Sequence, residues 1–121
     1  MARKIMFKEP VPPGMYTATF LGVEDTTHDQ YGDGLTWRFK ILGGAHDGQE
    51  VSRITPPQAS NGNATGKMLK GLIGARNLTK DNMPDVDQLK GKSFAICVQP
   101  TKTGDSTRVE SVTPPADPPP F

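Results

Sequence analysis

At 121 residues the chain supports one domain, since a domain usually takes about 100–200 residues. Only 34% of residues are hydrophobic, and 13 Gly with 12 Pro oppose a helical bundle and favour short strands joined by turns. With 14 basic against 13 acidic residues, a polycationic binder is excluded, so any anion binding has to come from local arrangement.

Residues 1–13 carry Arg3, Lys4 and Lys8 without the apolar run of a secretory leader, and they end in Glu9-Pro10-Val11-Pro12-Pro13. The prolines predict an extended arm kept out of a central ladder. Residues 15–23 read as the first strand, with Tyr16, Ala18 and Phe20 on one face and Thr17 and Thr19 on the other. Gly22 is the expected site of a bulge. Residues 26–34 read as a polar loop, with turn chemistry at Tyr31-Gly32-Asp33-Gly34. The second strand, 35–42, has the clearest pattern: Leu35, Trp37, Phe39 and Ile41 alternate with Thr36, Arg38 and Lys40.

Gly43-Gly44-Ala45-His46-Asp47-Gly48 predicts a hairpin loop into a third strand, 49–55, which carries Arg53 and is stopped by Pro56-Pro57. A small polar loop follows over 58–66. Over 64–76 the period changes. Met68, Leu69, Leu72 and Ile73 recur at helical spacing, although Gly66, Gly71 and Gly74 each cost about 1 kcal/mol relative to Ala. The polar side of this helix holds Lys67, Lys70 and Arg76. After a turn-rich connection come a fourth strand, 93–98, with Phe94, Ile96 and Val98 inward, a turn over 101–106, and a fifth strand, 107–112. Residues 114–121 are too proline-rich to be strand or helix and predict an extended tail.

Three strands, a helix and two strands is the layout of the five-stranded oligonucleotide/oligosaccharide-binding (OB) barrel. The expected fold is therefore all-β, a barrel over 14–113 with one short helix between strands three and four, an arm at 1–13 and a tail at 114–121. In such a barrel, strands two and three form the binding surface, where cations track phosphates and aromatic rings stack on bases at about 1–3 kcal/mol each. Arg38 and Lys40, two residues apart on one strand face, with Arg53 on the neighbouring strand, are read as one phosphate-facing surface. Tyr31 is the expected stacking ring. Trp37 fits either the core stripe or a stacking role. Lys67 and Lys70 extend the basic surface or form an ordinary solvated helix face.

Catalytic chemistry has little support. His28, Asp29 and Asp33 match no usual ligand spacing, and Asn61-Gly62-Asn63-Ala64-Thr65-Gly66-Lys67 lacks the leading glycine of a phosphate-binding loop. No enzyme activity, metal or cofactor is expected. Cys97 has no second cysteine to pair with and is expected to pack as a small buried hydrophobe. No run approaches the ~18 apolar residues of a membrane span, so a reducing, cytoplasmic setting is expected. In the tail, Phe121 behind Asp117-Pro118-Pro119-Pro120 forms a compact docking element, an aromatic ring beside a terminal carboxylate on a pre-extended stem.

The chain resembles the single-stranded DNA-binding proteins, most closely the compact type of phages and some bacteria. The matching stretches are Gly14-Met15-Tyr16-Thr17-Ala18, Leu35-Thr36-Trp37-Arg38-Phe39-Lys40-Ile41-Leu42-Gly43-Gly44, Gly48-Gln49-Glu50-Val51 and Leu89-Lys90-Gly91-Lys92-Ser93-Phe94. The resemblance implies a barrel that coats exposed single strands in replication, recombination or repair without strong sequence preference; small barrels often combine to lengthen the binding path, so a homo-oligomer is compatible with the sequence. It also implies that Pro120-Phe121, with Asp117, recruits replication or recombination proteins. The competing expectation is the same barrel used as a structural or protein-interaction module, in phage assembly for instance, without nucleic-acid binding.

Overall fold

The computed structural model describes residues 10–28, 32–102, 104 and 106–114, with His28 by its backbone alone. Among these residues five strands and one α-helix follow in chain order: β1 (Gly14–His28), β2 (Gly32–Ile41), β3 (Glu50–Thr55), α1 (Ala64–Ile73), β4 (Ser93–Pro100) and β5 (Thr107–Thr113). The strands make one antiparallel sheet in the order β3-β2-β1-β4-β5. β3 and β5 are its edges, and the sheet is not closed between them by main-chain pairing.

β1 is longer than its apolar pattern predicts. Residues 24–28 pair in register with residues 32–36, so most of the expected polar loop is a two-stranded ribbon. Its β-branched threonines suit extended backbone, and Thr26 Oγ1 lies 2.5 Å from Thr36 Oγ1 across the pair. Glu24, Asp25, Thr26 and Thr27 supply no apolar side chain and hence no apolar alternation, which is why composition alone reads this stretch as loop.

Two bulges set which side chains face inward. In β1 the register shifts between Phe20 and Gly22, leaving Leu21 as the extra residue. Phe20 and Val23, three apart, therefore both face inward, opposite Phe39 and Trp37 respectively. In β5, Val109 pairs with Val98 and Ser111 with Cys97, so Glu110 is the extra residue and Val109 and Val112 both reach the core.

The core gathers Ala18 and Phe20 from β1, Trp37, Phe39 and Ile41 from β2, Phe94, Ile96 and Val98 from β4, and Met68, Leu69 and Leu72 from α1. The ring centroids of Phe20 and Phe39 are 5.3 Å apart. Val11, in the segment expected as an extended arm, is buried, and its carbonyl accepts a bond from Thr107 Oγ1 at 2.6 Å. Cys97 departs from its expectation. It alternates with Ile96 and Val98, so it lies on the outer face and is only half-buried.

α1 starts where Asn63 Oδ1 accepts from the Gly66 amide at 2.8 Å and stops at Gly74, left-handed at φ 71°. It is therefore shorter than the predicted 64–76, and Arg76 lies beyond its end. The helix lies on β5 so closely that a methyl group at Gly71 would collide with the Val112 carbonyl.

Candidate nucleic-acid interface

The alternation of β2 appears in space as expected. Trp37, Phe39 and Ile41 are buried, while Arg38 and Lys40 are exposed on the opposite, outer face. Ser52 stands beside Arg38 on β3 and Glu50 beside Lys40. Thr36 pairs with Ile54, an isoleucine left 58% exposed on this outer face. Arg38 meets Glu24 of β1 at 3.1 Å, both side chains being largely exposed. An exposed ion pair of that kind contributes only about 0–1 kcal/mol, so it leaves the guanidinium free to exchange partners.

Arg53 does not belong to this surface, and the expected trio of Arg38, Lys40 and Arg53 is corrected by register. The residue opposite Arg38 is Ser52, whereas Arg53 is opposite Trp37 and shares its inward face. Its side chain is only 13% exposed and reaches across the open seam to β5. There Nη1 donates to the carbonyls of Val109 at 3.2 Å and Glu110 at 3.3 Å, and pairs with Glu110 Oε2 at 3.2 Å. Glu110 is the bulged residue of β5. Burial pushes the Arg53 pKa down, the nearby Arg108 charge adds to that, and Glu110 opposes both. Arg53 is a structural bridge between the sheet edges.

The remaining expected site residues separate. Trp37 belongs to the core: it is 1% exposed, and its Nε1–H donates to Thr55 Oγ1 at 2.7 Å, so neither ring face is open to a base. Tyr31 lies outside the described residues, as do Asp29 and the tail residues Asp117, Pro120 and Phe121. Lys67 is exposed on α1, but Lys70 donates to the Asn61 carbonyl at 2.6 Å and holds the loop before the helix. Among the described residues no group of three or more His, Cys, Asp or Glu side chains is placed to hold a metal. Nor is any helix among them long and apolar enough to cross a membrane.

One cation was missed by the sequence reading. Arg108 of β5 pairs with Gln99 on the outer side, and its Nε sits 3.6 Å from Glu110 Oε2. That nitrogen is buried and has no hydrogen-bond partner among the described residues. Arg108 borders a cleft of about 570 Å³ at the β3–β5 seam, whose other walls include Gly32, Gly34, Ile54, Pro56 and Pro57. The alternation Thr107-Arg108-Val109 marks Arg108 as outward-facing, but only the meeting of β3 with β5 places it near Ile54.

Compared with protein-family models and with curated proteins, the chain matches none.

Proposed function

We propose that the protein binds single-stranded nucleic acid, DNA in the first instance, on the outer face of β2 and β3, and does so without catalysis. The observation that carries this reading is the exposed pair Arg38 and Lys40 on a face that also holds Thr36, Ser52 and exposed Ile54, with Glu24 and Glu50 as its carboxylates. Cations at two-residue spacing along a strand suit successive phosphates, and small or apolar neighbours leave room for bases to lie against the sheet. A five-stranded sheet with α1 between β3 and β4, and with edges joined through Arg53, is compatible with an OB barrel whose last seam is bridged by a side chain. The role this implies is protection of exposed strands during replication, recombination or repair in the cytoplasm, with the Pro120-Phe121 end as the element that docks partner proteins.

Buried Trp37 is a poor reporter, so the test is fluorescence anisotropy of a labelled oligo-dT at two salt concentrations. Two phosphate contacts, from Arg38 and Lys40, give a log–log salt slope of about −1.4, hence a loss of affinity of roughly sevenfold between 50 and 200 mM salt. No association at low salt rejects the reading.

A second reading, a protein-interaction module, is favoured by the other end of the same face. Met15 is 66% exposed and Leu42 is 41% exposed, and the Leu42 amide donates to the Thr17 carbonyl, which places the two apolar side chains near one another. A protein complex resistant to nuclease, formed by a chain with no oligonucleotide affinity, would favour it.

A further inference from the structure

The cleft at the β3–β5 seam is continuous with the outer face of β2 and β3 through Ile54, which belongs to both. One end has the Arg108 guanidinium, which pairs with Glu110, a carboxylate shared with Arg53. Two guanidinium groups share the Glu110 carboxylate at this end, and Asp33 is a second carboxylate, in the lining of the cleft. The walls are apolar and flat: Ile54 and Pro56-Pro57 on the β3 side, Gly32 and Gly34 on the hairpin side. Gly32 is exposed with open space beside it, whereas Gly34 is buried close against the Thr55 carbonyl. Asp33 is the carboxylate of the lining, held by Thr27 Oγ1 at 3.3 Å, an acceptor suited to a ring N–H or amino group. The volume, about 570 Å³, lies in the range of small-ligand sites, about 300–1,000 Å³, and admits one nucleobase with its sugar.

We propose that this cleft takes one nucleotide unit of the bound strand, its base between Ile54 and the proline and glycine walls and its phosphate on Arg108. The inference rests on the single-strand reading above and adds a specific subsite to it. Arg108 replaces Arg53 as the third cation of the interface. A planar fork suits a phosphate better than an ammonium does, since it gives two parallel hydrogen bonds.

The test follows the Arg108 Nε–H signal by ¹H–¹⁵N NMR in the wild-type protein, assigned with Arg108→Lys, during titrations of a 16-nucleotide oligo-dT, dTMP and inorganic phosphate. The expected result is a saturable shift with oligo-dT, and with dTMP a larger shift than with phosphate at equal concentration. Arg108→Gln should lower oligo-dT affinity about tenfold and make the salt slope shallower by about 0.7, the value of one single-strand phosphate contact. Ile54→Glu, a change at an exposed edge position, should weaken binding by a similar factor. If oligo-dT binds and Arg38→Ala weakens it while the Arg108 signal stays fixed, the cleft proposal is overturned and the single-strand reading stands. If oligo-dT fails to bind but dTMP shifts Arg108, the cleft stands as a mononucleotide site and the single-strand reading falls. Equal shifts with phosphate and dTMP would overturn the base-binding part.

Discussion

Arg38 and Arg53 show how one residue of register separates two arginines that look alike in sequence. Arg38 is solvated and paired with Glu24 on the outer face, whereas Arg53 is inward and bonded to two main-chain carbonyls of β5. Their substitutions should therefore differ in kind. Arg38→Ala with Lys40→Ala should change stability by less than ~0.5 kcal/mol and make the salt slope of oligo-dT binding shallower by about 1.4. Glu24→Gln removes the carboxylate that competes with phosphate for Arg38, so anisotropy titrations at low salt should show tighter binding by severalfold. Within the core, Thr55→Val strands the Trp37 Nε1–H without its acceptor, a cost of about 1–3 kcal/mol readable as a lower urea midpoint.

At the scale of elements, α1 was legible from the spacing of Met68, Leu69 and Leu72, and its glycines read as weaknesses. Gly66 and Gly71 are both required, since a methyl group would collide with the Ser60 carbonyl at one and the Val112 carbonyl at the other. Helix propensity alone assigns Gly71→Ala a gain of about 1 kcal/mol. Contact with Val112 reverses the sign, because the added methyl has to push the helix off β5. Thermal or urea unfolding should show Gly71→Ala destabilised by about 1–3 kcal/mol, the usual cost of overpacking. The alternating stripes of β2 and β4 were equally plain in sequence. The far half of β1 was not, since Glu24-Asp25-Thr26-Thr27 carries no apolar period. Cys97 was misplaced because its apolar character was weighed before its parity with Ile96 and Val98.

For the whole molecule, the decisive feature is the seam between β3 and β5. Arg53 joins the edges with side-chain bonds where a ladder would otherwise stand, and burial lowers its pKa. The folded state therefore holds that proton less tightly than the unfolded chain, so the charge costs stability at neutral pH. Relief would come only at strongly alkaline pH, and the guanidinium remains charged throughout the physiological range. Arg53→Ala should destabilise the fold by about 2–3 kcal/mol, by loss of hydrogen bonds to a charged group. Hydrogen exchange should localise the change, with amides of β3 and β5 losing protection before those of β1 and β4.

The sequence by itself determined the strand count, the place of the helix, the inward stripe from Leu35 to Ile41 and the outward Arg38 and Lys40, because each follows from a period of 2 or 3.6 within one segment. Tertiary structure alone decided the side on which Arg53 falls, the arrival of Arg108 beside Ile54 and the cleft between them. Those depend on the inter-strand register and on two bulges, and a one-residue shift in either reverses which face a side chain occupies.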